Sequence, residues 1–153
     1  MGTPKAIILV GGEGTRLRPL TLQTHKSMVP ILNRPFMEHL LDHLKMHGVH
    51  EVVLALCHLH SQIIDYFGDG SRFGMKMHYV VEESPLGTAG AVKNAARHMD
   101  DTCFVLNGDI YNELDLTAML DFHRSRGALA SIALTHVEDV SAYGVVETTE
   151  AGR

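Results

Sequence analysis

The sequence has no long hydrophobic run. The longest uninterrupted apolar stretch near its start is Ala6–Val10, far too short for a membrane span or a signal-peptide core. Cysteine is also scarce, since Cys57 and Cys103 are the only two and form no CxxC pair. Both lie in apolar stretches, so we expect buried thiols in a reducing compartment, with one disulfide as the alternative. These absences predict a cytoplasmic protein without a membrane segment.

Clusters of basic residues are also few. Thirteen Lys and Arg oppose eighteen Asp and Glu, which gives a net charge of −5 with the histidines neutral. A chain with this charge is poorly suited to gripping a nucleic-acid backbone, so we expect no nucleic-acid partner. The 45% hydrophobic and 20% charged content excludes disorder and collagen-like repeats. The length of 153 residues suits one domain.

Short apolar segments alternate with segments of helical periodicity. The predicted strands are 5–10, 51–56, 76–81, 102–106 and 128–135, and the predicted helices are 36–47, 61–67, 88–99 and 114–126. This alternation predicts an α/β fold with a mainly parallel sheet and helices on both faces. A further strand-like segment, 143–148, leads to a hairpin-like turn at 150–152 without a returning strand, so we expect a domain truncated at its C-terminus.

Two of the predicted strands end in polar, glycine-rich turns. Val10 is followed by the sequence GGEG at 11–14, and Leu106 is followed by NGD at 107–109. Because ligands of parallel sheets bind beyond the carboxyl ends of the strands, both turns should border the same cleft.

The first of these turns continues to Arg16. It is not a Walker A loop, and Leu17 stands where a dinucleotide fingerprint needs its third glycine. Its bare backbone allows a ligand to approach closely, and its amides can form a nest for an anion beside Arg16 and Arg18. The alternative is an ordinary turn with two solvated arginines. Lys26 adds a point charge that suits a phosphate.

The segment GGEGTRLRPLTLQTHK at 11–26 resembles the signature of sugar-1-phosphate nucleotidylyltransferases, the enzymes that make nucleotide sugars. The resemblance continues through NRP at 33–35, EESPLGTAGA at 82–91, LNGDI at 106–110 and YGVV at 143–146. It therefore covers essentially the whole chain, with its motifs in the family's order.

One departure from the family pattern concerns the lysine loop. The family usually sets its lysine between two prolines, whereas His25 and Ser27 flank Lys26 in this sequence. Loss of two prolines should loosen the loop, because the backbone angles are freer and the unfolded chain has more entropy.

The resemblance implies a Rossmann-like three-layer αβα sandwich, the nucleotide-diphospho-sugar transferase fold. Residues 1–153 would be the nucleotide-binding part of a single nucleotidyltransferase domain whose remainder is absent. The implied reaction transfers a nucleotidyl group from an NTP to a sugar 1-phosphate, giving an NDP-sugar and pyrophosphate with Mg²⁺ as cofactor. Exposed apolar surface at the truncated edge would favour association into a homo-oligomer.

The resemblance also implies the roles of individual residues. Arg16 would hold the β- and γ-phosphates, Lys26 would meet the α-phosphate charge, and Asp109 would bind Mg²⁺. For Asp109 the alternative is an ordinary turn cap. The second aspartate that the family uses would lie beyond Arg153. The implied nucleotide-binding residues are Gly11, Gly12, Gly14, Thr15, Glu82, Gly87 and Thr88, and the implied sugar-binding residues are Tyr143 and Gly144.

Glu82 bears on the choice of nucleobase. An ionised carboxylate only accepts hydrogen bonds, and guanine offers two adjacent N–H donors that it can receive as a fork. Thymine and uracil offer one donor between acceptors, which suits glutamine better. Glu82 therefore favours GTP. Within the resembled family, we expect the substrate pair to be GTP and mannose 1-phosphate. The alternative substrate pair is dTTP with glucose 1-phosphate. The alternative function is a non-catalytic regulatory or minimised module that binds a nucleotide sugar. For Thr88, the alternative role is a simple helix N-cap.

Overall fold

A four-stranded parallel sheet forms the framework of the computed structural model, which describes residues 3–149. Its strands are β1 (Lys5–Val10), β4 (Glu51–Leu56), β5 (Lys76–Val81) and β6 (Cys103–Asn107). Their order in the sheet is β5-β4-β1-β6. Between β1 and the first helix, β2 (Pro30–Ile31) and β3 (Arg34–Pro35) form a small antiparallel pair. The parallel α/β fold predicted from the sequence is confirmed.

Residues 3–149 form four α-helices. They are α1 (Phe36–Met46), α2 (His60–Phe67), α3 (Gly87–Ala95) and α4 (Leu116–Arg126). Ala95 of α3 packs against Ile7, Val53 and Val80 on one side of the sheet. Ile8, whose side chain alternates with that of Ile7, is fully buried as well. Both faces of the central strands are therefore covered, as a doubly wound sheet requires.

The predicted element bounds agree closely with the structure where apolar periodicity is strong. The bounds of β1, β4 and β5 match, and β6 begins and ends one residue later than predicted. Helix α3 is shorter than the predicted 88–99, because its last turn tightens into the 3-10 helix Ala96–His98. Strand β6 stands at the end of the strand order among residues 3–149, and Val105 on it is exposed rather than buried.

The chain divides into two units, and the second begins at Ala118. Neither predicted strand in this second unit is formed in the described residues, so the predictions for 128–135 and 143–148 were wrong. A strand is stable when neighbouring strands pair its backbone groups, and the described residues offer none to these segments. The apolar residues Leu129 and Ile132 are exposed instead. The predicted turn at 150–152 lies outside the described residues.

The two thiols are separate from each other. Cys57 and Cys103 are both free and half-buried, so they are more exposed than the buried thiols that we expected, while the unpaired state agrees with the preferred interpretation. Burial raises the pKa of the Cys103 thiol. Within residues 3–149, no helix combines the length and apolar character needed to cross a bilayer.

Replacing Leu54 with alanine tests the position of the core. Leu54 on β4 is 0% exposed, whereas Leu32 in the β2–β3 turn is 86% exposed. We expect Leu54→Ala to lower the free energy of unfolding by about 2–5 kcal/mol, since it removes buried methyl groups and leaves a cavity. Leu32→Ala should change it by less than about 0.5 kcal/mol. Urea denaturation followed by circular dichroism measures both, and equal effects would contradict this assignment of the core.

Gly70 is required by close packing as well as by its backbone angle. Its φ is +86°, and a Cβ would stand 2.6 Å from Met77 Cγ and 2.8 Å from the Met75 carbonyl oxygen. Gly74 has a similar φ of +68° but no heavy atom within 4 Å of such a Cβ.

The pair Gly70→Ala and Gly74→Ala separates these two effects. Both substitutions should cost about 1–2 kcal/mol for the left-handed backbone. Gly70→Ala should cost at least about 1 kcal/mol more, because the backbone carbonyl cannot yield as a flexible side chain can. Thermal and urea unfolding measure the difference, and equal losses would show that packing around Gly70 is loose.

Candidate functional site

The carboxyl ends of β1 and β6 meet at one edge of the sheet. Leu9 of β1 is paired with Asn107 of β6, and the Gly108 N–H donates to the Leu9 carbonyl at 2.8 Å. The turns that follow the two strands therefore lie side by side, which confirms the cleft predicted from the sequence.

A cavity of about 290 Å³ opens at this edge. The predicted site residues that line it are Gly11, Gly12, Lys26, Glu82, Gly87, Thr88 and Asp109. The other lining residues, to which the sequence analysis gave no individual binding or catalytic role, are Leu9, Val10, His25, Ser27, Ala55, Cys57, Pro85, Ala91, Asn107 and Gly108. Ala55 and Cys57 lie at the carboxyl end of β4, so the strand-end rule that located the cleft would also have found them.

Lys26 and Asp109 form an ion pair in the cavity lining. The Lys26 ammonium donates to the Asp109 carboxylate across 83 positions of sequence. Their side chains are 20% and 32% exposed, respectively, so both remain accessible from the cavity. An ammonium carries three donors, and Lys26 can therefore contact a second acceptor without leaving Asp109. The arrangement places a cation and an anion within reach of one ligand.

His25 and Ser27, which flank Lys26, are almost fully buried at 2% and 1% exposure. The Ser27 N–H donates to His25 Nδ1 at 3.1 Å, which requires the imidazole proton to sit on Nε2. Burial lowers the pKa of His25, an effect that the nearby Val10 carbonyl opposes, so the ring is held neutral. Its Nε2 has no hydrogen-bond partner among residues 3–149. The sequence marked both residues only as departures from the family pattern.

Gly14 lies behind the lysine rather than on the cavity wall. Its φ is +65°, its carbonyl accepts from Thr21 Oγ1 at 2.7 Å, and a Cβ there would stand 3.1 Å from Lys26 Cβ. Glycine at this position therefore lets the lysine stem pass close to the turn. Thr15 and Arg16 begin the 3-10 helix Thr15–Leu17, are exposed, and are not among the cavity-lining residues.

The segment before α3 brings Glu82 to the cavity. Glu82 Oε2 accepts from the Leu86 N–H at 3.0 Å, so one carboxylate oxygen already has a backbone partner. Helix α3 begins at Gly87, its N-cap is Leu86, and no side chain caps it. The alternative interpretation of Thr88 as the N-cap is therefore wrong. Gly87 and Thr88 both line the cavity.

Tyr143 and Gly144 belong to the second unit. Both are exposed, and the Tyr143 N–H donates to the Val140 carbonyl at 3.0 Å. Their sugar-binding role stays a prediction.

The donor set can be tested against a Mg²⁺ ion. In the described part of the chain, no group of three or more His, Cys, Asp or Glu side chains is placed to hold a metal. Magnesium commonly takes only one or two carboxylates and completes its shell with water and substrate phosphates. The accessible Asp109 carboxylate fits such a site as one ligand, with the remaining oxygens supplied by the bound substrate.

Comparison with known proteins gives several strong similarities. The chain is 44% identical over 149 residues to the mannose-1-phosphate guanylyltransferase of Mycobacterium tuberculosis, covering 97% of this chain and 42% of that protein. It is 42% identical to the UTP–glucose-1-phosphate uridylyltransferase of Synechocystis, with the same two coverages. The crystal structure of HddC from Yersinia pseudotuberculosis complexed with GMP-PN superposes with a TM-score of 0.80 at 33% identity, covering 97% of this chain and 66% of that one.

The chain spans less than half the length of these two curated relatives. A Rossmann-like architecture is common to this chain and the solved neighbour. The family model described as nucleotidyl transferase matches residues 5–153. On this evidence the chain belongs to the nucleotidyl transferase family.

Proposed function

We propose that this chain is the nucleotide-binding part of an enzyme that transfers a nucleotidyl group from an NTP to a sugar 1-phosphate, releasing an NDP-sugar and pyrophosphate. The observation that carries the proposal is the Lys26–Asp109 pair inside a cavity walled by glycine backbone. A triphosphate with its divalent cation needs both a cation and an anion at one place, and bare backbone lets it approach closely.

The chemistry asks the protein chiefly to position charges. A sugar-phosphate oxygen attacks the α-phosphorus, and the bond from that phosphorus to the departing pyrophosphate breaks in line with the attack. Lys26 donates to an α-phosphate oxygen, where negative charge must be stabilised. Arg16, exposed on the loop after β1, reaches the β- and γ-phosphates. Asp109 would hold Mg²⁺, which when bound neutralises phosphate charge.

The remaining predicted residues surround the nucleoside and the sugar. The backbone of Gly11, Gly12, Gly14 and Thr15 forms the turn beside the phosphates, Glu82, Gly87 and Thr88 meet the base and ribose, and Tyr143 and Gly144 meet the sugar. We place the reaction in the cytoplasm, a choice that the free thiols support. Association into a homo-oligomer, without nucleic acid or membrane as partner, belongs to the same proposal.

GTP and mannose 1-phosphate are the proposed substrates. The support is the 44% identity to a mannose-1-phosphate guanylyltransferase and the superposition on a structure complexed with GMP-PN. Glu82 adds a physical reason, because each carboxylate oxygen can accept two hydrogen bonds. Oε2 can therefore keep the Leu86 N–H while the two oxygens together accept the two adjacent N–H donors of guanine.

Calorimetric titration of this chain with GTP and dTTP, each with and without Mg²⁺, tests the proposal directly. The residues proposed to bind the base and the phosphates all belong to this chain, so we expect it to bind nucleotide. We expect Mg²⁺-dependent binding that is tighter for GTP. Preference for dTTP would favour the thymidylyl alternative, and binding of neither nucleotide would contradict the proposal.

Asp109→Asn should separate the metal from the phosphate contribution. Loss of the carboxylate removes a negative charge beside the incoming phosphates and leaves Lys26 without its ionic partner. We therefore expect GTP binding without Mg²⁺ to tighten by about tenfold, corresponding to about 1.4 kcal/mol, and the gain on adding Mg²⁺ to disappear.

Asp65→Asn is the matched control, since it makes the same charge change at an exposed position of α2. Its titrations should match those of the unmodified chain. A full Mg²⁺ effect in Asp109→Asn would remove Asp109 from the metal site.

Glu82→Gln tests the choice of base. The amide oxygen can keep the Leu86 N–H, but a neutral amide is a weaker acceptor for the guanine donors, so we expect the GTP-over-dTTP preference to fall by about fivefold or more. Glu83→Gln is the matched control, because Glu83 is exposed and does not line the cavity. An unchanged preference in Glu82→Gln, measured by the same titrations, would show that Glu82 does not read the base.

A further inference from the structure

Lys26 is exposed to the cavity between two buried neighbours. The 3-10 helix Lys26–Met28 begins after His25, and the Met28 N–H donates to the His25 carbonyl at 2.8 Å. His25 and Ser27 are both nearly inaccessible to solvent. The lysine backbone is therefore held on both sides. Its side chain is a flexible four-carbon stem, so the position of the ammonium depends on further contacts.

Ser27 and Lys26 contact two adjacent residues, Gly108 and Asp109. Ser27 Oγ donates to the Gly108 carbonyl at 2.8 Å, and the Lys26 ammonium donates to Asp109. Gly108 is itself fixed to β1 through its N–H bond to the Leu9 carbonyl. Two adjacent residues of one loop thus bond two adjacent residues of another, and this sets the register between the loops.

Gln62 of α2 anchors the other side of the loop. Its Oε1 accepts from the His25 N–H at 2.8 Å, and its Nε2 donates to the Gln23 carbonyl at 2.6 Å. The N–H groups of His25 and Ser27, which proline could not supply, are both used. Side-chain hydrogen bonds thus occupy the two positions where the family pattern usually has rigid rings.

From this geometry we infer that Ser27 is a positioning residue, which together with His25 and Gln62 fixes Lys26 against Asp109 in the nucleotide site. The inference deepens the proposed function and rests on it for the role of Lys26 towards phosphate. Its structural part, the placement of the ammonium, stands on the contacts alone. A role confined to filling the core would affect overall stability but would not single out Lys26.

Selective acylation of lysines tests the inference without any nucleotide. Limiting amine-reactive reagent is added, and the rate at each lysine is measured by mass spectrometry of peptides. Lys45 is the internal control, since it is also ion-paired and comparably accessible, at 29% exposure against 20% for Lys26. We expect Ser27→Ala to speed the labelling of Lys26 about three- to tenfold, which corresponds to one lost hydrogen bond, with Lys45 unchanged.

Ser125→Ala is the matched control variant. Ser125 Oγ also donates to a backbone carbonyl, that of Phe122, at 2.8 Å, but on exposed α4. This variant should leave the labelling of Lys26 unchanged. Equal Lys26 rates in Ser27→Ala and the unmodified chain would overturn the inference.

A second variant decides the outcome if Ser27→Ala unfolds the chain and speeds every lysine alike. Gln62→Leu removes the acceptor of the His25 N–H at a half-exposed position. It should again speed Lys26 selectively, and an unchanged Lys26 rate in a folded Gln62→Leu chain would overturn the inference.

Calorimetry with Mg²⁺ and GTP separates this inference from the proposed function. Ser27→Ala should weaken GTP binding about three- to tenfold, because the ammonium is no longer held in place. Selective labelling changes in a chain that binds no nucleotide would support the positioning role and contradict the proposed function. Tight GTP binding, together with equal Lys26 labelling in Ser27→Ala and the unmodified chain, would support the proposed function and contradict the positioning role.

Discussion

The parallel pairing of β1 with β6 is the constraint on which the site depends. Alignment of Leu9 with Asn107 brings the two strand ends level, and the Gly108 N–H bond to Leu9 extends the pairing into the turn. A slip of one residue would send each β6 side chain to the opposite face of the sheet. Asp109 would then leave the cavity, and Lys26 would lose its partner. The register of two strands therefore fixes the chemistry of the cleft.

The Lys26–Asp109 ion pair lowers the cost of holding two charged groups in the cavity lining. A lysine or aspartate taken partly out of water loses solvation, and the contact between the two offsets part of that loss in both groups. A ligand that carries phosphates and a divalent cation offers a negative group to Lys26 and a positive group to Asp109. It can therefore replace the internal pair without leaving either side chain unpaired, so neither group has to be buried alone at any stage of binding.

The sequence predicted the features that depend on neighbouring residues along the chain. The β-branched runs at 5–10 and 51–56 gave correct strand bounds, and the strand-end rule located Asp109. The segment 128–135 is also largely apolar but does not form a strand, because strand formation depends on a pairing partner that its own residues do not specify. The anchoring of His25 and Ser27 was not predicted either, since Gln62 and Gly108 lie 37 and 81 positions away.

Proline orders a loop by restricting the unfolded chain, whereas side-chain hydrogen bonds order it by stabilising the folded chain. Proline restricts the unfolded chain and keeps its loop ordered whatever surrounds it. The hydrogen bonds of His25 and Ser27 exist only when their distant partners are in place, Gln62 on α2 and the Gly108 carbonyl after β6. The position of Lys26 is thus coupled to the packing of α2 and to the β1–β6 register. The charged site therefore depends on contacts that the completed sheet and α2 supply.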